Sequence, residues 1–400
     1  MSDRILLVDD DPNVLAALRN SLRRMRDRWV VVGATSGEEA LALMQEEPFA
    51  VVVTDMRMPV MDGAELLERV RDLSPTTARI ILSGYSELDA VRRTVTVAHQ
   101  FLAKPTEPGT LEEAIQRALS LRELVADEAV LRIVGRVDRL PSAPRVFARL
   151  TAMLGDPDVS AADVATLIER DVAMSAKILQ LVNSAFFRSA RRISSVEGAV
   201  RHLGFATIQK LVLTLEVFAS AGAIPVNGLS HEAIQDHALA ASRLASRMPG
   251  DAEARDDAGV AALLCDVGLL LLAAEATSEF RAAWEQAAAT QRPLHEVERE
   301  VHGTTHAEVG AYLLGLWGLP LAVVEAVANH HAPERIPREG MSVAAAVYFA
   351  DTLAAEATGE GGPFWSRPPL DESLLAAASA GDEVAKWRGL ADDLSLAGRS

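Results

Sequence analysis

Five short apolar runs, Ile5–Val8, Trp29–Val32, Ala50–Val53, Ile80–Leu82 and Phe101–Ala103, recur along the first 103 residues with amphipathic stretches between them. No other feature narrows the fold so far. A run that is apolar at every position is buried on both faces. Such runs read as strands of a parallel sheet, and the stretches between them as the helices that cover it. The helical period is carried by Val14, Leu15, Leu18 and Leu22, then by Ala40, Leu41 and Met44, then by Leu66, Leu67 and Val70. The expectation is an α/β doubly wound, five-stranded parallel sheet whose ligands gather at the carboxyl ends of its strands.

Those ends carry chemistry. Asp9, Asp10 and Asp11 follow the first strand, Asp55 the third, Ser83 the fourth and Lys104-Pro105 the fifth. Clustered carboxylates repel one another unless a cation sits among them. A hard divalent ion such as Mg²⁺ suits oxygen ligands and keeps waters for a phosphoryl group. Lys104 and Ser83 are placed to neutralise or hydrogen-bond phosphoryl oxygens on Asp55. Turn formation or helix capping explains Asp11 before Pro12. It does not explain the joint occurrence of the others.

The segments "ILLVDDDPNVL", "VVVTDMRMPVMDG", "IILSGYS" and "FLAKP" resemble the response-regulator receiver domain in order and spacing, over residues 4 to about 122. The resemblance implies that Asp55 is the phosphoacceptor and that a sensor histidine kinase is its partner. Asp9 and Asp10 match the family's acidic pair. With Asp55 and the main-chain carbonyl of Arg57 they would hold Mg²⁺, Asp10 as the direct ligand of the pair. Ser83 matches the switch hydroxyl, Phe101 the switch aromatic and Lys104 the invariant lysine. Family analogy also allows a cis Lys104-Pro105 bond.

From Glu107 to about Val137 the pattern reads as one long helix or two abutting ones. The first part closes the receiver, and residues 123–140 form a connector. A solvated linking helix and a homodimer stalk both fit it, since Glu128 interrupts the apolar stripe. Pro141 and Pro144 mark a new domain.

Residues 141–355 look almost wholly helical. Ser160-x-x-Asp163 and Ser194-x-x-Glu197 read as capping boxes. Amphipathic segments follow near 172–186, 206–219, 232–248, 258–274, 278–290, 305–316 and 320–331. The words "LPSAPRVFARL", "LVNSAFF", "AVRHLGF", "GLWGLP" and "HH.PE" resemble the HDOD domain, an all-helical, non-catalytic relative of the HD metal-dependent phosphohydrolases. HD enzymes chelate metal with a His, a His-Asp pair and a later Asp. His237, Asp266 and Asp351 fall at the first, pair and last positions, and His306, His330 and His331 resemble the extra histidines of the cyclic-dinucleotide branch. Three departures point to a degenerate site. The pair's His is Cys265, the residue after Gly268 is Leu269 where those enzymes commonly carry Lys, and Ala332-Pro333-Glu334 stands where a Gly-Tyr-Pro segment would. The expectation is therefore no catalytic residue and no cofactor in this domain, with His237, Asp266, His330 and His331 as buried polar groups satisfied by hydrogen bonds.

The chain has 39 Lys+Arg against 56 Asp+Glu, a net charge of −17, which argues against a nucleic-acid footprint. The single Cys rules out an intrachain disulfide. No signal peptide is visible, and Ala258–Ala274 reads as a core helix because Asp266 falls in its middle. Residues 356–400 read as a Gly/Pro-rich loop and short helices, with Trp387 placed to dock them. The sum is a cytoplasmic response regulator with no nucleic-acid or membrane partner and an unknown downstream protein. The alternative is a receiver-gated HD-type phosphohydrolase acting on cyclic-di-GMP.

Overall fold

The computed structural model describes all residues except 1–2, 26, 85–96, 107–108, 125–127, 137–149, 151–152, 154–158, 184–192, 194, 205–206, 209–223, 225, 359–360 and 399–400. The chain divides into two compact units, the first built chiefly on Met1–Arg139.

In the first unit, strands β1 (Asp3–Val8), β2 (Trp29–Ala34), β3 (Val51–Asp55), β4 (Ala78–Gly84) and β5 (Gln100–Lys104) form one sheet. All are parallel, in the order β2-β1-β3-β4-β5. The reversal of winding at β1 and β3 makes the fold doubly wound, as expected, and puts a switch point beside Asp9 and Asp55. Helices α1 (Pro12–Ser21), α2 (Gly37–Glu46) and α3 (Gly63–Leu73) start on side-chain caps from Asp11, Ser36 and Asp62. Each cap satisfies a backbone N–H that the first helical turn leaves unpaired. The stretch read as one long helix or two abutting ones forms two helices, α4 (Thr110–Leu124), which falls almost wholly before the connector, and α5 (Glu128–Arg136) within it. Buried Arg79 fixes the second: its guanidinium donates to Val97 O at 2.6 Å and to Gly135 O at 2.9 Å.

The second unit is helical, as expected. Its elements are α6 (Ala161–Ile168), α7 (Val172–Asn183), α8 (Val196–Leu203), α9 (His231–Ala245), α10 (Ala252–Leu264), α11 (Val267–Glu275), α12 (Thr277–Thr290), α13 (Leu294–His302), α14 (His306–Leu316), α15 (Leu321–Asn329), α16 (Val343–Thr358), α17 (Glu372–Ala377) and α18 (Val384–Gly398). The Ser160–Asp163 capping box is present. The cap of α8 is Ser195 and not Ser194: its Oγ accepts from Gly198 N at 3.0 Å, and Glu197 instead pairs with Arg201 one turn on, at 2.5 Å. The apolar run at 258–274 is not one helix. It breaks at Cys265 and Asp266, where Asp266 leaves helical geometry at φ −94° and ψ 9°. Ala252–Glu275 is long and apolar enough to cross a membrane, but 89% of its apolar window is buried in the protein, the mark of a core element. Trp387 is buried and stacks on Phe349 with ring centroids 6.0 Å apart, so α18 is docked on α16. Pro141, Pro144 and most of 206–219 lie outside the described residues.

Candidate functional sites

The carboxyl edge of the sheet collects the first group. Register sets Val8 opposite Thr54, Asp55 opposite Leu82, Ser83 opposite Ala103 and Gly84 opposite Lys104. Asp9 and Asp55 therefore stand level, with Ser83 one residue and Lys104 two residues farther along their strands, all four at the same edge. Lys104 Nζ lies 2.7 Å from Asp9 Oδ2 and 2.5 Å from Asp55 Oδ1. Burial alone would lower the Lys104 pKa, but Asp55 and then Asp9 hold it above its ordinary value. The remaining oxygens are aimed by backbone: Arg57 N donates to Asp55 Oδ2 at 2.7 Å, and Asp11 N donates to Asp9 Oδ1 at 3.0 Å. Asp9, Asp55, Ser83 and Phe101 are buried, while Asp10 and Arg57 are exposed beside them. Gly63 is required here, since a Cβ would stand 2.2 Å from Asp55 O. The Lys104-Pro105 bond is cis. A carboxylate, a fixed ammonium, a hydroxyl and further oxygen donors at one edge are what phosphoryl transfer needs.

The second group lies in the core of the helical unit. α9 supplies His237, the α10–α11 break supplies Cys265 and Asp266, α14 opens on His306, the residues after α15 are His330 and His331, and α16 carries Asp351. All seven residues singled out in the sequence meet there. Close approach of two backbones makes this possible: a Cβ on Gly268 would lie 1.9 Å from His306 O, so only glycine lets α11 and α14 touch. His237 Nε2 is 2.8 Å from Asp351 Oδ1 and 3.8 Å from Asp266 Oδ2. His306 Nε2 is 3.5 Å from Asp266 Oδ1 and 3.1 Å from His331 Nε2. The Cys265 thiol donates to Ala262 O at 3.2 Å, and burial, then Asp266 and Asp351, push its pKa well up. Burial lowers the pKa values of His330 and His331. Burial opposes a charge on His306 too, but Glu298 more than offsets it and raises its pKa.

Hydrogen bonds do not satisfy this cluster, contrary to expectation. His237 Nδ1, Asp266 Oδ1 and His330 Nε2 are buried without a hydrogen-bond partner among the described residues. His/Cys/carboxylate donor atoms fall within 4.8 Å of one another in three overlapping sets: Asp266-His306-His330-His331, Cys265-His330-Asp351 and His237-Asp266-Asp351.

Three residues of the site escaped the sequence reading. Glu298 is fully buried and accepts from both His306 N, at 3.0 Å, and His306 Nδ1, at 2.6 Å. His295 stacks on His331 at 4.4 Å, and burial lowers its pKa to about 3. Arg367 comes from the Gly/Pro-rich loop. Its Nε and Nη2 donate to Asp351 Oδ2 at 2.7 Å and Oδ1 at 3.1 Å, and its Nη1 donates to Phe364 O. This is the two-pronged match of guanidinium to carboxylate. Arg367 counters the desolvation of Asp351 and holds that carboxyl well below the usual range. Only Glu298, eight residues before His306, left a signal in the sequence, as a carboxylate on the apolar face of α13.

Two family models match the chain: the response regulator receiver domain at residues 5–116 and the HDOD domain at 140–333. Among solved structures, the MmoQ response regulator of Methylococcus capsulatus is 25% identical, with a TM-score of 0.50 over 63% of this chain and 98% of that one. Among curated proteins, the hydrogenase transcriptional regulatory protein HoxA of Cupriavidus necator is 30% identical over 187 residues, 42% of this chain and 38% of that protein. The transcriptional regulatory protein GlrR of Escherichia coli is 32% identical over 191 residues, 47% of this chain and 40% of that protein. The chain thus spans about 40% of the length of these curated relatives.

Proposed function

This chain joins a response regulator receiver domain to an HDOD domain, and from that premise we propose that it is a phosphorylation-controlled, cytoplasmic regulator. Asp55 accepts a phosphoryl group from a sensor histidine kinase, and the helical domain answers by protein–protein contact. The receiver spans 1–122, the connector 123–140, the HDOD domain 141–355 and a C-terminal segment 356–400.

One observation carries the reading: the Lys104 ammonium shared between Asp9 and Asp55 at 2.7 and 2.5 Å. A carboxylate oxygen of Asp55 attacks phosphorus, the new P–O bond forms as the donor's N–P bond breaks, and the electron pair of that bond returns to the donor imidazole. Lys104 is already in place to neutralise the added charge, and Ser83 has the hydroxyl to donate to a phosphoryl oxygen. Such transfer needs mainly positioning and charge neutralisation. The donors Asp9, Asp10, Asp55 and the Arg57 carbonyl are all oxygens and suit Mg²⁺, which when bound supplies further neutralisation. Ser83 and Phe101 then rearrange the face beside α4, and α5, tied to the same unit through Arg79, carries the change onward.

The non-catalytic reading of the HDOD domain is supported by Cys265 at the pair's histidine position and by Arg367 on both oxygens of Asp351. Metal hydrolases need their ligands free for metal. The convergence of Asp266, His306, His330 and His331 favours the rival, a receiver-gated phosphodiesterase. Cyclic-di-GMP turnover lost in Asp266→Ala would establish that rival. The regulatory reading is tested by pull-downs with beryllofluoride-treated protein and with Asp55→Ala. A partner that binds only the treated protein is the expected result, and a partner set unchanged by Asp55→Ala would defeat it.

A further inference from the structure

We propose that Asp266, His306, His330 and His331 form a site for one zinc-class divalent cation, beside an arginine, Arg367, that closes the rest of the pocket to a second ion. The inference goes beyond the regulatory reading and does not depend on phosphorylation of Asp55.

Proton bookkeeping gives the first argument. His306 Nδ1 faces Glu298 Oε2 at 2.6 Å, and His330 Nδ1 faces Val327 O at 2.7 Å. Only an N–H satisfies either acceptor, so the neutral rings carry lone pairs on Nε2. His331 Nδ1 lies 3.7 Å from Asp351 Oδ2, close enough for charge but too long for a hydrogen bond that would fix its proton. The Nε2 atoms of His306 and His331 meet at 3.1 Å, a contact that one proton on either ring would turn into a hydrogen bond and that a metal ion between them would satisfy as well. Asp266 Oδ1 stands 3.5 Å from His306 Nε2 and 3.9 Å from His330 Nε2. Asp266 Oδ1 and His330 Nε2 are fully buried and receive no hydrogen bond from the described residues. Asp266 Oδ1, His306 Nε2 and His330 Nε2 are three acceptors that converge with His331 Nε2 within 4.8 Å, and a cation between them would serve all four.

Geometry and charge agree. A tetrahedral ion at about 2.0–2.1 Å from its ligands sets them about 3.3 Å apart, and the distances 3.1, 3.5 and 3.9 Å straddle that edge. Asp266, Glu298 and Asp351 are all fully buried. Arg367 matches Asp351, which leaves two carboxylates, and one divalent ion balances them. Three imidazoles and one carboxylate suit zinc and its neighbours better than Mg²⁺. The ring N–H to Glu298 and the ring N–H to Val327 O are the outer contacts that orient ligating histidines.

The two other donor sets both need Asp351. Its oxygens accept Arg367 at 2.7 and 3.1 Å, and Phe364 O anchors the same guanidinium. The pocket therefore has room for one ion, held between α11, α14 and the end of α15, in a structural and not a hydrolytic role.

The test uses the full chain, expressed with zinc and dialysed. Elemental analysis is expected to find one zinc per chain, and cobalt substitution to give the visible spectrum of a tetrahedral ion. His331→Gln and Asp266→Asn should each lose the metal and the spectrum, while Arg367→Leu keeps at least one ion. A chelator should lower the melting temperature of the wild type and leave that of His331→Gln unchanged, which separates lost binding from lost folding. Metal-free wild type with no cobalt spectrum would overturn the proposal in favour of a proton shared by His306 and His331. Zinc content unchanged by both substitutions would overturn it in favour of adventitious surface binding. Asp55→Asn should retain the zinc, and His331→Gln should still accept phosphate at Asp55, so this proposal and the regulatory reading fail separately.

Discussion

Replacing Arg367 by Met should destabilise the helical unit far more than a loop substitution normally does. Arg367 sits in a Gly/Pro-rich loop, but its side chain is only 6% exposed and Asp351 is 0% exposed. Two charge-assisted hydrogen bonds join them, at 2.7 and 3.1 Å, and such bonds are worth about 1.5–3 kcal/mol each. Asp351 lies inside α16 and cannot move to water when the arginine goes. Breaking one partner out of a buried pair costs about 3–5 kcal/mol, which agrees with the sum of the two bonds. Asp351→Asn should cost less, because Arg367 is on a loop and its guanidinium can swing to solvent. The double variant Asp351→Asn/Arg367→Met removes both charges and should cost less than the sum of the single losses, with a coupling of about 1–3 kcal/mol. Urea unfolding of the four proteins measures this, with Trp365 beside the pair as a fluorescence reporter. An Arg367→Met variant within about 1 kcal/mol of wild type, or strictly additive losses, would refute the reasoning.

Other outcomes follow from close contacts. Gly268→Ala ought to gain about 1 kcal/mol of helix propensity. Its Cβ would instead meet His306 O at 1.9 Å and Gly310 N at 2.8 Å, so a net loss of at least about 1–3 kcal/mol is expected in denaturant titration. Gly135→Ala would place a Cβ 1.7 Å from Pro75 O, and should expose α5 to proteolysis while leaving the helical unit intact. Arg79→Met strands the carbonyls of Val97 and Gly135, at about 1–3 kcal/mol for each buried acceptor left unpaired, read from the unfolding of the receiver. Lys104→Ala leaves Asp9 and Asp55 without their shared cation, and should abolish the partner binding expected of beryllofluoride-treated protein while Asp55 remains present.

The sheet was readable because burial on both faces writes itself into the sequence as unbroken apolar runs, and β1 to β5 lie where those runs are. The strand-end residues were readable for the same reason, since a parallel sheet fixes which residues share an edge. The helical unit was readable as helices but not at their joints. Nothing in "LLCDVGLL" distinguishes a continuous helix from one that breaks at Asp266, because both bury every residue. Arg367 was illegible in principle. An arginine between Ser366 and Pro368 reads as a solvated loop residue, and its burial depends on a carboxylate 16 positions earlier being desolvated. The hydrogen-bond deficit at Asp266 and His330 was hidden too, since a motif names ligand types and not where their lone pairs point.

The most direct test of the account is phosphorylation itself. The full chain is incubated with Mg²⁺ and a small-molecule phosphodonor such as acetyl phosphate, and the product is read by intact mass and peptide mapping. One acid-stable, base-labile phosphoryl group on the peptide holding Asp55, absent from Asp55→Asn and accompanied by a change in protease sensitivity across α4 and α5, is the predicted result. A chain that takes up no phosphoryl group, or takes it up equally in Asp55→Asn, would contradict the central claim.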